Sequence, residues 1–123
     1  MKNLRFVVVD DAIFKRTILK KMIDEEESYS VVGEGGNGME AVIQAKRHQP
    51  DIMTLDITMP DMDGIQAVKE IKNNFPVAKI IMCSAMGQNV MVVEAIEAGA
   101  KDFILKPFQE DLVVDRIKKV LGA

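Results

Sequence analysis

Ile52-Met53-Thr54-Leu55-Asp56-Ile57-Thr58-Met59-Pro60-Asp61-Met62-Asp63-Gly64 is the stretch on which the fold turns. Ile52 to Leu55 is an apolar run of strand length, closed by the carboxylate of Asp56. A loop of Asp, Pro and Gly follows. Ile65, Val68 and Ile71 then recur at helical spacing until Pro76 breaks the pattern. The segment therefore predicts one β-α unit with a carboxylate at the carboxyl end of its strand.

The same unit repeats in both directions. Upstream, Arg5 to Val9 is a compact apolar strand stopped by Asp10-Asp11. Phe14, Ile18 and Met22 recur every four residues as an amphipathic stripe, running into the solvated Glu25-Glu26-Glu27. Tyr29 to Val32 predicts a second strand, the glycine cluster from Gly33 to Gly38 a turn, and Met39, Val42, Ile43 and Lys46 a helix ended by Pro50. Downstream, Lys79 to Cys83 predicts a strand ended by Ser84-Ala85, and Val90, Val93 and Ile96 a helix stopped at Gly99. Phe103 to Leu105 is a short fifth strand ended by Lys106-Pro107, and Val113, Ile117 and Val120 place the last helix on the core. Five β-α units predict an α/β chain: a doubly wound parallel sheet with five helices on its two faces. Val7-Val8-Val9 and Ile80-Ile81-Met82 lack polar alternation, as strands covered on both faces should.

Composition narrows the function classes. The 123 residues suit one domain, with 48% apolar and 28% charged residues and a net charge of −3. Cys83 is the one cysteine, which excludes a disulfide framework and a cysteine-based zinc site and points to a reducing, cytoplasmic setting. The apolar run after the first residues is too short for a signal-peptide core, and no stretch approaches a membrane span. A net negative chain with no basic run predicts no nucleic-acid partner and no membrane insertion. With no Trp and one Tyr, stacking platforms for bases are not expected.

Ligands of parallel α/β sheets bind beyond the carboxyl ends of the strands. Here those ends carry Asp10 and Asp11, then Asp56, then Ser84, then Lys106. Each residue alone reads as a cap, a turn or a surface group. Together they place three carboxylates, a hydroxyl and an ammonium on one rim. Three adjacent carboxylates repel, and a hard divalent cation such as Mg²⁺ relieves that repulsion while binding phosphate oxygens. Lys106 can approach a phosphoryl oxygen as a compact charge, and Ser84 can donate to another. Asp56 can itself accept the phosphoryl group as an aspartyl phosphate.

Val8-Val9-Asp10-Asp11, Leu55-Asp56 through Gly64, Cys83-Ser84-Ala85 and Lys106-Pro107-Phe108 resemble the motifs of response-regulator receiver domains, over essentially the whole chain. Cys83-Ser84-Ala85-Met86-Gly87-Gln88 and Ala98-Gly99-Ala100-Lys101-Asp102-Phe103 are most similar to stand-alone chemotaxis regulators of the CheY type. The resemblance implies a flavodoxin-like strand order of 2-1-3-4-5 and one receiver domain over residues 1–123 that signals through its own surface. It implies Asp56 as phosphoacceptor, with Mg²⁺ on Asp11, Asp56 and the backbone carbonyl of Thr58, and Asp10 acting through water. Lys106 and Ser84 would contact the phosphoryl group. Ser84 would move toward it and Phe103 would turn into the vacated space. Lys106-Pro107 would be a cis peptide. Phe103 stands where many chemotaxis regulators carry Tyr, so any hydroxyl contact to a partner is lost. Thr58 and Met86 flank the site at positions that vary in the family. The implied partners are a CheA-like sensor histidine kinase, the flagellar motor switch protein and a phosphatase. The implied activity is that of a phosphoacceptor signalling switch and not of an enzyme, since it would catalyse its own phosphorylation and dephosphorylation only.

Rival readings draw on other residues. A phosphorelay intermediate would use the same site and pass phosphate to a histidine phosphotransferase. An Mg²⁺-dependent hydrolase would need a further acid or base at the rim. Gly33-x-Gly35-x-x-Gly38 matches a dinucleotide fingerprint, but Glu34 puts a negative charge in the loop and the motif sits on the second unit. An FMN carrier would set its phosphate against Asp10-Asp11. Cys83 reads as a buried strand residue, His48 as a surface residue at a helix end, and most methionines as core filler. Met86 and Met91 flank the fourth helix start, where adaptable apolar side chains suit a partner surface.

Overall fold

The computed structural model describes residues 4–59 and 62–122. Pro60 and Asp61 of the loop quoted above lie outside the described residues. Strands and helices alternate in chain order: β1 (Leu4–Val9), α1 (Ile13–Asp24), β2 (Tyr29–Gly35), α2 (Gly38–His48), β3 (Ile52–Asp56), α3 (Gly64–Asn74), β4 (Ile80–Ser84), α4 (Asn89–Ala98), β5 (Asp102–Leu105) and α5 (Glu110–Leu121). All paired strands are parallel, in the order β2-β1-β3-β4-β5. The expected topology is therefore present.

Alternation along each strand divides the core in two. Val7, Val9, Met53, Leu55, Ile80 and Met82 face α2, α3 and α4, where they meet Ala41, Ala67, Val68, Ile71 and Ala95. Phe6, Val8, Ile52, Ile81, Cys83 and Ile104 face α1 and α5, where they meet Leu19, Ile23, Val113 and Ile117. Each fully buried branched side chain contributes roughly 1.5–3 kcal/mol of transfer free energy, so both layers are needed to hold the sheet.

The helix faces correct three of the stripes. On α1 the buried residues are Leu19 and Ile23, and Phe14 is 75% exposed, with Ile18 and Met22 only partly covered. On α2 the small Ala41 and Ala45 face the sheet while Met39 and Ile43 are exposed. On α4 the core takes Val92 and Ala95, and Val90, Val93 and Ile96 all face outward. Apolar residues crowd these helices, so several four-residue spacings fit, and close approach to the sheet selects the smaller side chains. Among the described residues, no helix is long and apolar enough to cross a membrane.

Candidate functional site

The carboxyl ends of β1, β3, β4 and β5 form one rim. Asp10, next after β1, is 2% exposed and held on several sides. Its N–H donates to Gly35 O at 3.1 Å, its Oδ1 accepts from the Ala12 N–H at 2.9 Å, and its carbonyl accepts from Arg16 Nη1 at 2.7 Å. Arg16 is braced by Glu34 at 2.9 Å, and Lys20 reaches the same carboxylate at 2.6 Å. Those two cations hold Glu34 below the usual carboxylate range.

Asp56 closes β3 and is 5% exposed, whereas Asp11 is open to solvent. One carboxylate oxygen each from Asp10, Asp11 and Asp56 lie within 4.8 Å of one another. This hard-oxygen set, one member of it exposed, fits a hydrated Mg²⁺. Lys106 arrives after β5. Its Nζ stands 2.9 Å from Asp10 Oδ2 and 3.1 Å from Asp56 Oδ1. The Asp10 contact is an ion pair outside hydrogen-bond alignment, since Oδ2 has no aligned donor. Burial and then the Asp10 charge push the Asp56 carboxyl up to about 6, with Lys106 opposing them. Burial disfavours the Lys106 ammonium, but the two carboxylates prevail and raise its pKa.

Ser84 is buried at the end of β4, and its carbonyl accepts from the Lys106 N–H at 2.7 Å, which ties two strand ends together. The Lys106-Pro107 peptide is cis, as expected. Phe103 is half-buried against the α2–α4 side of the core, with the Arg116 guanidinium 5.5 Å from its ring centroid. Cys83 is buried in β4 and its thiol is pushed up to about 12 by burial, so it is a packing residue.

The glycine fingerprint has a structural explanation. Glu34 is occupied by Arg16 and Lys20. The start of α2 is satisfied by Asn37 Oδ1, which accepts from the Glu40 N–H, and by Glu40, which accepts from the Gly36 N–H at 2.6 Å. A Cβ on Gly33 would meet Gln44 and His48, and one on Gly38 would meet the Met62 carbonyl. These glycines let α2 approach its neighbours, and no pyrophosphate slot is left. His48 closes α2 and is half-buried beside Gly33, a more enclosed position than expected. A cavity of about 660 Å³ opens at the opposite edge of the sheet, between Leu4, Tyr29, Phe75, Val77, Lys79 and Leu121, away from the acidic rim.

Four features take on a role at the site only in the folded chain. Ile13 and Phe14 are exposed at the start of α1, which follows Asp10 and Asp11 in the chain. Arg16 supports Asp10. Gly64 packs against Asp56 O, which a Cβ there would approach to 2.3 Å. Gln88 joins two rim loops. Their neighbours come from distant segments, so a linear reading holds little signal for them. Met86 and Met91 part company: Met86 is 86% exposed and Met91 packs on the core.

The model of the response regulator receiver domain matches residues 6–118. The chemotaxis protein CheY of Bacillus subtilis is 55% identical over 118 residues, covering 96% of this chain and 98% of the relative. CheY of Thermotoga maritima is 58% identical over 116 residues, covering 94% of this chain and 96% of the relative. Among solved structures, the CheX-CheY-BeF3-Mg²⁺ complex from Borrelia burgdorferi aligns with a TM-score of 0.91 at 36% identity, covering 97% of this chain and 90% of the matched one.

Proposed function

The chain belongs to the response regulator receiver domain family, and from that premise we propose that it is a chemotaxis phosphorylation switch with Asp56 as phosphoacceptor. The observation that carries the reading is the single ammonium of Lys106 bridging the buried carboxylates of Asp10 and Asp56, with Asp11 beside them. Asp11, Asp56 and the Thr58 carbonyl would hold Mg²⁺, with Asp10 acting through water, and the ion would neutralise charge between phosphoryl group and carboxylates.

In the transfer, a carboxylate oxygen of Asp56 forms a bond to phosphorus. The bond from phosphorus to the imidazole nitrogen of the kinase's phosphohistidine breaks, and its electron pair leaves with that nitrogen. Lys106 then turns its charge from the carboxylate to the phosphoryl oxygens. Ser84, on the neighbouring strand end, donates its hydroxyl to another, which draws β4's end toward Asp56 and lets Phe103 turn inward. The signal leaves through α4, β5 and α5. Val90, Val93 and Leu105 are exposed there, with Met86 exposed in the loop before α4, and clustered exposed apolar residues suit a partner. This outward face supports target binding, with the flagellar motor switch as partner, over simple relay of phosphate. The exposed Ile13 and Phe14 offer an apolar contact to a kinase or phosphatase that must reach Asp56.

Treatment with acetyl phosphate and Mg²⁺, followed by intact-mass measurement, tests the reading. Wild type should gain one phosphoryl group as acetate departs, and neither Asp56→Asn nor chelator-treated protein should gain any. Persistent labelling of Asp56→Asn, or steady turnover of phosphate esters by the wild type, contradicts it. Parallel assays of the labelled protein against a motor-switch peptide and a histidine phosphotransferase separate the chemotaxis role from relay.

A further inference from the structure

Gln88 immediately precedes α4, where a side chain could cap the helix, yet α4 begins without a side-chain cap. Its carboxamide is engaged elsewhere. Oε1 accepts from the Ala85 N–H at 2.7 Å, and Nε2 donates to Thr58 Oγ1 at 2.9 Å. The amide's orientation follows from chemistry, because a backbone N–H can only donate and the oxygen must therefore face Ala85. One side chain thus ties the β4–α4 loop to itself and to the β3–α3 loop. Of the two residues between Ala85 and Gln88, Gly87 has φ +88° and open space around it, so the segment has a joint as well as a tie.

Ala85 is bonded directly to Ser84. A displacement of Ser84 toward Asp56 carries the Ala85 N–H with it and pulls it from Gln88. We propose that Gln88 is a positioning residue, a latch that holds the Ser84 loop in its unphosphorylated place and sets how readily phosphorylation moves it. The proposal rests on the phosphoacceptor reading above. A latch made only in the resting state lowers the population of the switched state, and any ligand selecting that state binds more weakly by the same factor. A partly exposed neutral hydrogen bond changes such a population by roughly two- to ten-fold.

The test uses beryllofluoride with Mg²⁺, a mimic of the aspartyl phosphate, on the whole protein. Its affinity is measured by calorimetry for wild type, Gln88→Ala, Thr58→Val and the double variant, with the Ala85 amide followed by NMR. Gln88→Ala should bind beryllofluoride about five-fold more tightly. Thr58→Val should gain about two-fold, and the double variant should match Gln88→Ala because one arm of the latch is shared. For Gln88→Ala the affinity for Mg²⁺ alone should not change and the urea stability should fall by about 1 kcal/mol, the five-fold converted, whereas a merely structural role would lower stability without tightening beryllofluoride binding. Equal or weaker beryllofluoride binding by Gln88→Ala, with normal binding by wild type, overturns the latch alone. A wild type that fails to bind beryllofluoride overturns the phosphoacceptor reading and the latch with it.

Discussion

The loops after β3 and β4 occupy equivalent places in the topology and are built in opposite ways. After β3 the chain is wedged. The Gly64 N–H donates to Ile57 O at 2.7 Å, Asp63 Oδ1 accepts from the Gln66 N–H at 2.9 Å, and α3 buries Ala67, Val68 and Ile71. After β4 the chain is loose. Gly87 stands in open space, α4 lacks a side-chain cap, and Val90, Val93 and Ile96 face outward. On the proposed reading, the carboxylate that meets its ligands in a set geometry is Asp56, at the end of β3 where the wedged loop begins. On the same reading, the hydroxyl that moves is Ser84, at the end of β4 where the loose loop begins and few packed contacts oppose local displacement. The proposed function would thereby divide chemistry and signalling between neighbours on one rim.

Filling the wedge tests the contrast most severely. A methyl group on Gly64 would stand 2.3 Å from Asp56 O and 2.8 Å from Ile57 Cα, both backbone atoms that have nowhere to yield. Gly64→Ala should destabilise the protein by about 3 kcal/mol in urea unfolding. Gly87→Ala meets no atom, and only its positive φ opposes it, so its cost should be about 1 kcal/mol. Equal costs would mean that the two loops are not differently held.

The wedged side also stores electrostatic strain. Burial and the neighbouring Asp10 charge push the Asp56 carboxyl from its ordinary 3.8 up to about 6. A carboxyl raised on folding contributes stability that is complete below about pH 4 and is lost as pH rises through 6. At 1.36 kcal/mol per unit, the ionised group costs up to about 3 kcal/mol at neutral pH. Asp56→Asn in chelator should therefore be more stable than wild type at pH 7.5, and the advantage should vanish at pH 4 and shrink with Mg²⁺. Urea titrations at the two pH values measure this. An equal difference between the proteins at both would contradict it.

The strands and the rim were legible from sequence because both depend on local pattern. Apolar runs ended by Asp10, Asp56, Ser84 and Lys106 announce a strand and its carboxyl end together, and the topology then gathers them. The helix faces were not legible where apolar residues exceed one stripe. In Asn89-Val90-Met91-Val92-Val93, the choice of Val92 for the core depends on the approach of α4 to β4, and linear spacing carries no trace of it. The surplus on α4 that misleads the spacing is exposed apolar surface, which the proposed function gives to a partner. The contacts of Gln88 and Arg16 are illegible for a related reason, since Thr58, Glu34 and the Asp10 carbonyl reach them only in the folded chain.

Backbone amide NMR of the wild type, with and without beryllofluoride and Mg²⁺, tests the division of the rim most directly. The account predicts large shifts from Ser84 through α4 and at Phe103, with α3 from Gln66 onward nearly unchanged. Comparable shifts along α3, or a quiet α4, would contradict it.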